Sequence, residues 1–308
     1  METLCVVSVS GGKDSTATLL LALDTMPNVQ AVFADTGNEH SITYEYLEYL
    51  EDALKIRIDR VKADFSKQIE RHRQHILQKW PEEGVSPDKV KRAANASNPT
   101  GNPYLDMVIW KGRFPSEAAG FCTEELKIKP ITEYIMKKID EGWRIESWQG
   151  VRAQESPKRA GYPERERVDE FIEIVRPIHK WSWEQVFAFH DLHGIKPNPL
   201  YKMGMGRVGC MPCIRSRKKE IDEISLRFPE EIERIESWEK IMMDVSKRDC
   251  STFFPSDGVT NEEAYENGNI RKVVEWARGK KPSLFLDHWE RMREARKISC
   301  SSEYGLCE

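Results

Sequence analysis

The first third of the chain alternates between short apolar runs and longer amphipathic stretches. Leu4–Ser10 and Val29–Gly37 are apolar and rich in β-branched residues, which is typical of buried parallel strands. The stretch between them and Ser41–Leu54 both have helical spacing, and we expect Ser41 to be the N-cap of the second helix. Residues 55–63 alternate like a third strand. Strands separated by helices predict an α/β fold with a parallel sheet and right-handed crossovers.

This alternation is interrupted and then lost further along the chain. Residues 66–115 break the strand–helix order, and charged helical patterns dominate after residue 217. We therefore predict an α/β domain over residues 1–195, with an insertion at about residues 66–115, and a helical, cysteine-bearing region over residues 196–308. Basic clusters in the insertion could meet nucleic-acid phosphates, although a solvated helix face is the more ordinary explanation.

Residues 181–194 predict an amphipathic helix with Gly194 as its C-cap and its aromatic residues in the core. His190 and His193 lie three positions apart on it, as His72 and His75 do in the insertion. These histidines have no carboxylate or cysteine neighbours at ligand spacing. We therefore interpret them as ordinary surface or half-buried residues.

Composition and charge narrow the class of protein. The 308 residues carry a net charge of −4, so the whole molecule does not attract nucleic acid, although a local basic patch remains open. No apolar run approaches the roughly 20 residues that span a bilayer, and no secretory signal is visible, so we expect a cytoplasmic protein without membrane contact. The 7 cysteines are then reduced thiols or metal ligands rather than disulfides.

A polar cluster, Ser10–Ser15, separates the first strand from the first helix. Gly11 and Gly12 allow a tight turn and close approach to a ligand. The first serine and the helix N–H groups can donate to phosphate oxygens, and the helix dipole favours an anion there. Lys13 adds a positive charge, and Asp14 can either orient Mg²⁺ or cap the helix. We call this segment the phosphate loop. Its residues favour a nucleotide-binding site over the alternative, a simple turn that leads into a capped helix.

Two further polar clusters follow predicted strands and join the candidate binding residues. Asp35, Thr36 and Gly37 end the second strand. Gly150, Arg152 and Glu155 follow an apolar stretch at residues 144–149; the arginine can make a bidentate contact to phosphate, and the glutamate can fix it or bind a cation. A surface ion-pair cluster with Arg159 is the alternative. Lys127 and Lys129 either face the same anion or lie on a solvated helix face.

The cysteines carry a second possible chemistry. Cys210 and Cys213 form Cys-x-x-Cys, whose spacing suits a metal, a cluster or a redox pair. With Cys122 and Cys300 they could bind a [4Fe–4S] cluster, and a zinc ion would use the same thiolates. The fourth ligand of this metal or cluster site remains open among Cys300, Cys307 and Cys250.

Five motifs, in order over roughly residues 4–240, resemble one family. They are SVSGGKDSTA, FADTGNEHSITYEYL, FPSEAAGFCTEELKIKPI, GVRAQESPKRA and NPLYKMGMGRVGCMPC. The first is similar to the PP-loop of the N-type ATP pyrophosphatases, and the others resemble the phosphoadenosine phosphosulfate (PAPS) reductase branch. This resemblance implies a Rossmann-like, adenine nucleotide α-hydrolase fold, with Asp35–Gly37 facing the adenosine and chemistry at the α-phosphate.

The chain departs from the reductases at two places. Cluster-bearing adenylyl-sulfate reductases have a Cys-Cys pair where this chain has Phe121 and Cys122. Reductases also end in a motif whose cysteine attacks sulfur, and Tyr304 stands at that position here, with Cys307 as the nearest thiol. The pattern is therefore closer to members that insert sulfur into nucleic acid, such as the ATP pyrophosphatases of DNA phosphorothioation systems.

The resemblance implies an enzyme that uses ATP and Mg²⁺ to adenylate an acceptor for sulfur transfer. Lys13, Asp14, Arg152 and Cys122 are the candidate catalytic residues. The implied partners are a nucleic-acid acceptor and a cysteine desulfurase as sulfur donor, and a homodimer is an open alternative to a monomer. A sulfonucleotide reductase is the second hypothesis. A non-catalytic nucleotide-sensing module is the third, and the intact Lys13, Asp14, Asp35 and Arg152 argue against it.

Overall fold

The computed structural model describes residues 1–296, and within them six strands form one sheet. The strand order is β3-β2-β1-β4-β6-β5, and every neighbouring pair is parallel except β5 with β6. This confirms the predicted α/β class. The strands are β1 (Thr3–Ser8), β2 (Val29–Ala34), β3 (Ile58–Val61), β4 (Arg144–Trp148), β5 (Arg165–Arg167) and β6 (Ile172–Val175).

Helices connect the strands and form most of the remaining described chain. A π-helical turn, Glu124–Ile128, precedes α7, and short 3₁₀ turns span Ala153–Glu155 and Pro199–Met203. None of the helices within residues 1–296 is long and apolar enough to cross a membrane. The helices are α1 (Lys13–Thr25), α2 (Ser41–Leu54), α3 (Ser66–Lys79), α4 (Pro87–Ala96), α5 (Pro103–Lys111), α6 (Phe121–Thr123), α7 (Lys129–Asp140), α8 (Pro157–Ala160), α9 (Trp183–Leu192), α10 (Lys218–Arg227), α11 (Pro229–Val245), α12 (Asn261–Gly268), α13 (Ile270–Ala277) and α14 (Leu284–Arg296).

The sheet is apolar on both faces because helices cover both of them. Cys5 and Val7 of β1 pack with apolar residues of α1 and α2, and the intervening Val6 packs with Ile131 and Ile135 of α7 on the other face. This alternation is the period of two expected for a strand. Cys5 is a core residue, and burial raises the pKa of its thiol.

The chain divides into two compact units at boundaries that differ from the predicted domains. The first unit contains Met1–Lys62 and Thr123–Met211, and the second contains Ala63–Cys122 and Pro212–Arg296. The insertion therefore clusters with the C-terminal helices rather than with the α/β domain, and the boundary lies near residue 211 rather than 195.

Aromatic packing gives the physical reason for the second unit. The Tyr104 ring of α5 stacks on Trp238 of α11, with ring centroids 5.4 Å apart, and Phe114 contacts Phe253 at 5.5 Å. The buried Lys89 ammonium of α4 donates to the Met243 carbonyl at 2.7 Å. The insertion thus buries its apolar and polar groups against the last third of the chain.

Two predicted helix ends are corrected by their capping contacts. Ser41 is the first residue of α2, and the N-cap is His40, whose ring nitrogen Nδ1 accepts the Ile42 N–H at 3.1 Å. The helix α9 ends with His193 as its C-cap, and Gly194 follows with a φ of 65°. A residue with positive φ at this position still ends the helix as predicted.

Candidate nucleotide-binding site

The phosphate loop lies where the strand order of the sheet reverses. The chain proceeds from β1 outward through β2 and β3, whereas β4 pairs with the other side of β1 and leads to β6. The loops after β1 and β4 therefore meet at a topological switch point, where open α/β sheets bind ligands. Their approach is close, because a Cβ atom on Gly150 would lie 2.7 Å from the Ser15 amide nitrogen.

The phosphate loop has the backbone geometry of an anion site. Gly11 has a φ of 80°, a conformation that favours glycine. Gly12 is the N-cap of α1 and has no side chain with which to cap it, while the Ser15 hydroxyl closes the turn on the Gly12 carbonyl at 3.0 Å. Asp14, offered above as a possible cap, instead contacts two cations.

Asp14 is fully buried between Lys13 and Arg152. Its Oδ2 atom is 2.6 Å from Lys13 Nζ, and its Oδ1 atom is 2.5 Å from Arg152 Nε. The carboxylate thus holds two cations at the N-terminus of α1, which suits a phosphate group. Both carboxylate oxygens of Asp14 therefore face cations of the protein, and a role of Asp14 in orienting Mg²⁺ stays a prediction.

The loop after β4 holds Arg152 in place from its own backbone. Glu155 accepts the Arg152 N–H at 2.8 Å and pairs with the Arg159 guanidinium at 2.5 Å, while Arg152 also donates to Gln154 at 3.1 Å. Both arginines are buried, so the cluster is not a surface ion pair. Of the two roles considered for Glu155, the structure shows the one that fixes Arg152.

The loop after β2 forms a rigid turn beside the same sheet edge. Asp35 accepts the Gly37 N–H at 3.0 Å and the Tyr44 hydroxyl at 2.7 Å, and it pairs with Lys62 at 2.8 Å. The Thr36 hydroxyl donates to Glu39 at 2.7 Å. These contacts order the loop that the family resemblance assigns to the adenosine.

A cleft opens between these loops, with an empty volume of about 510 Å³ that includes space open to solvent. Lys127 lines the cleft, whereas Lys129 pairs with Glu125 at 2.7 Å, so only the first of the two predicted lysines reaches it. The lining residues are Ser8, Val9, Ser10, Ser15, Phe33, Ala34, Glu39, Lys127, Ile131, Gly150 and Gly209.

Glu39 is a lining residue to which the sequence analysis gave no role. It is buried, and the loss of solvation raises the pKa of its carboxyl. The backbones of Cys210 and Glu39 form an isolated antiparallel β-bridge. The Cys210 sulfur lies 3.5 Å from Thr36 Oγ1 and 3.9 Å from Glu39 Oε1. One cysteine of the Cys-x-x-Cys motif therefore lies beside the cleft.

Three residues to which the sequence analysis gave no binding role form hydrogen bonds with the backbone of the phosphate loop. Asn198 Nδ2 donates to the Gly11 carbonyl at 3.2 Å, and the Tyr201 hydroxyl accepts the Lys13 N–H at 2.9 Å. His190 Nε2 lies 2.7 Å from the Lys13 carbonyl, and it donates because a carbonyl only accepts. His190 is fully buried, and burial lowers its pKa, so the interpretation of it as an ordinary histidine was wrong.

The structure describes the surroundings of only some of the other cysteines predicted as metal ligands. The Arg215 amide donates to Cys213 Sγ at 3.5 Å, a contact that suits a thiolate ligand. Cys122 and Cys250 are half-buried, whereas Cys300, Cys307 and the nearby Tyr304 lie outside the described residues. Within residues 1–296, no three His, Cys, Asp or Glu side chains are grouped to hold a metal ion, so the [4Fe–4S] or zinc site stays a prediction.

The chain is similar to several known proteins. A protein of Escherichia phage 186, described as an uncharacterized 37.8 kDa protein in the gpa 5′ region, is 45% identical over 335 residues, covering 100% of this chain and 97% of its own. Adenosine 5′-phosphosulfate reductase of Allochromatium vinosum is 24% identical over 217 residues, 70% of each chain. The solved phosphate complex of PAPS reductase from Candida auris has 15% identity and a TM-score of 0.41, covering 67% of this chain and 80% of its own.

The family model named phosphoadenosine phosphosulfate reductase domain matches residues 4–216. This range contains β2 to β6, all of β1 but its first residue, the phosphate loop, the Arg152 loop and the Cys-x-x-Cys motif. The chain therefore belongs to the phosphoadenosine phosphosulfate reductase domain family.

Proposed function

We propose that the chain is an ATP pyrophosphatase that adenylates an acceptor for sulfur transfer. The observation that carries this proposal is the buried Asp14, which holds Lys13 and Arg152 together at the N-terminus of α1. Two cations and a glycine-lined helix start form a pre-arranged site for a phosphate chain. Such a site stabilises charge that develops between the α- and β-phosphates of a bound nucleoside triphosphate.

In the proposed reaction, MgATP is the substrate. An oxygen of the acceptor attacks the α-phosphorus, the bond to the bridging oxygen breaks, and pyrophosphate leaves with its electron pair, which Lys13 and Arg152 help to neutralise. The terminal sulfur of a persulfide, supplied by a cysteine desulfurase, then displaces AMP. A second thiol reduces the resulting disulfide and releases the sulfur on the acceptor. Cys122, Cys210 and Cys213 are the candidates for carrying or orienting that sulfur.

A sulfonucleotide reductase is the second candidate function. The 24% identity to the Allochromatium adenosine 5′-phosphosulfate reductase favours it, because the match extends over 70% of both chains. Two residues oppose it. Phe121 replaces the first cysteine of the reductase pair, and Tyr304, which cannot form a thiosulfonate, replaces the attacking cysteine.

An anaerobic assay separates the two functions. The purified chain is given MgATP, adenylyl sulfate or PAPS in parallel, with a thiol reductant, and pyrophosphate and sulfite are measured. We expect pyrophosphate from ATP, and its loss in the Lys13→Ala variant. Sulfite from either sulfonucleotide, without ATP consumption, would overturn the proposal and assign the second function.

A further inference from the structure

A continuous row of aromatic side chains leads from the surface of the first unit to the phosphate loop. The Trp183 and Phe187 rings of α9 are 6.2 Å apart, and the Phe187 and Tyr201 rings are 5.9 Å apart. Lys13 Nζ lies 5.7 Å from the Tyr201 ring. We call Trp183, Phe187 and Tyr201 the aromatic ridge.

The outer part of the aromatic ridge is not needed for the core. Val186 and His190 form the buried face of α9, whereas Trp183 is 53% exposed and Phe187 is half-buried. Single exposed apolar side chains are common on protein surfaces. A connected row of aromatic rings that ends at a candidate catalytic lysine is a more specific feature.

Cations accompany the aromatic ridge along its length. Lys180 precedes α9 with its side chain 80% exposed, and it forms with Glu164 an exposed ion pair of the weak kind that a phosphate can replace. Lys202 is exposed next to Tyr201. Glu184 lies on the first turn of α9, where a hydrogen bond with Ser182 lowers the pKa of its carboxyl and the charge of Arg152 adds to this effect. Although the whole chain has a net charge of −4, two exposed lysines therefore lie beside the ridge, and Glu184 is the carboxylate next to its outer ring.

We propose that the aromatic ridge binds the acceptor, a single-stranded nucleic acid whose bases stack on Trp183 and Phe187 and whose phosphates lie near Lys180 and Lys202. Aromatic rings flanked by cations are the usual means of binding single strands. A duplex does not fit, because its base faces are already covered. The ridge then brings one nucleotide of the strand to Lys13, at the phosphate loop. The role as acceptor site rests on the proposed function, whereas the binding of a strand does not.

Fluorescence anisotropy with labelled oligonucleotides of about 15 nucleotides tests the binding. Single-stranded DNA, single-stranded RNA, duplex DNA and an abasic strand of equal length are compared. We expect at least one normal single strand to bind more tightly than the duplex and the abasic strand. Because stacking contributes about 1–3 kcal/mol per base, Trp183→Ala should weaken binding about 5- to 150-fold.

Matched variants make the result interpretable. Leu192→Ala removes a 77% exposed apolar side chain from the other end of α9 and should bind like the unmodified chain. Trp183→Phe should retain most of the affinity, because it keeps an aromatic face. Equal binding by Trp183→Ala and Leu192→Ala, or equal binding of abasic and normal strands, would overturn the inference, as would capture of a protein partner with no strand binding at all.

Pyrophosphate release from MgATP, measured in the same preparations, separates the two proposals. Strand binding that depends on Trp183, without pyrophosphate release, would support the ridge and contradict the proposed function. Pyrophosphate release without binding of any strand would contradict the ridge alone. Release stimulated by the bound strand, and lost in Trp183→Ala, would support both.

Discussion

Asp14 is the residue on which the candidate site depends most. A fully buried carboxylate is stable only when it is paired, and here each of its oxygens has a cation as partner. The pairing also fixes the two cations, whose long side chains would otherwise be mobile. Asp14 is therefore a positioning residue for Lys13 and Arg152.

The Asp14→Asn variant tests this role. The neutral amide leaves both cations without their counter-charge, so they no longer occupy one arrangement at the helix start. We expect the rate of pyrophosphate release to fall about 100-fold or more. Asp24→Asn, on the last turn of α1 where Asp24 pairs with His193, is the control and should keep the rate of the unmodified chain.

The close packing of Gly150 against the start of α1 gives a second prediction about a single residue. An added Cβ would overlap the backbone of α1, with Ser15 N at 2.7 Å and the Asp14 carbonyl carbon at 2.8 Å. Gly150→Ala should lower the free energy of unfolding by about 1–3 kcal/mol and abolish ATP binding. Gly206→Ala, where nothing lies within 4 Å, is the control in urea unfolding and in ATP titration. Full ATP affinity in Gly150→Ala would contradict the close approach of the two loops.

His190 predicts an acid-dependent loss of stability. Burial holds its pKa below the ordinary 6.5, so the unfolded chain takes up a proton first as the pH falls. The free energy of unfolding should then decrease below about pH 6.5. His190→Gln keeps a donor for the Lys13 carbonyl and does not titrate. Urea unfolding should show a shallower acid decline for this variant, and identical declines would contradict the prediction.

The sequence predicts the residues of the site that are contiguous and misses those that only folding brings near. Ser10–Ser15 and Arg152 are recognisable because glycines, charges and strand ends occur together in short stretches. His190 and Tyr201 contact Lys13 across 177 and 188 positions of sequence. The sequence analysis treated His190 and His193 alike, although the first lies in the last turn of α9 and the second is its C-cap. Asn198 and Tyr201 lie in the quoted NPLY motif, which was the available signal.

At the scale of elements, a buried carboxylate joins three segments of the second unit. Glu239 of α11 accepts the Phe253 N–H at 2.8 Å and the Ile270 N–H, at the start of α13, at 2.9 Å. Burial raises its pKa from 4.5 to about 7. The Glu239 side chain therefore holds the backbone at Phe253 and the first residue of α13 against α11.

Glu239 makes the pH dependence of this unit testable. As the pH rises, the unfolded carboxyl loses its proton near 4.5, whereas the folded carboxyl keeps it until about 7. The folded state binds more protons over this range, so the free energy of unfolding should fall as the pH rises through it. Urea unfolding of the Glu239→Gln variant, which cannot titrate, should lack this contribution. Parallel pH curves for the two chains would contradict the assignment.

The helices and strands follow from the period of apolar positions, with errors mainly at their ends. The apolar run of Leu4–Ser10 ends as a strand at Ser8, because the last residues turn into the phosphate loop. His40 displaces Ser41 as the cap of α2 because an imidazole nitrogen, like a hydroxyl oxygen, can accept an N–H. Which of two neighbouring side chains accepts the N–H at a helix start depends on the local backbone geometry.

At the scale of the molecule, the second unit is built from two separated segments. The insertion has amphipathic helices that look ordinary in sequence, so nothing local shows that their apolar faces pack on residues 212–296. The sequence analysis placed the insertion with the α/β domain for this reason. Tyr104 and Lys89 depend on partners that lie more than a hundred residues away.

A fragment ending at residue 211 tests this arrangement. It keeps every strand but removes the partners of Tyr104, Phe114 and Lys89, leaving an apolar face and a buried-type lysine exposed. We expect the fragment to bind the dye ANS and to aggregate, unlike the full chain. A soluble fragment that unfolds cooperatively without binding ANS would show that the insertion folds alone.

The divided second unit also determines when its parts can meet during synthesis. The insertion leaves the ribosome before its partner segment, which begins about 90 residues later, a delay of several seconds at 5–20 residues per second. During that time Trp238, on which the Tyr104 ring stacks in the folded chain, has not yet been synthesised. Chaperone binding around Tyr104 should therefore be strongest on nascent chains that end between the two segments of the unit.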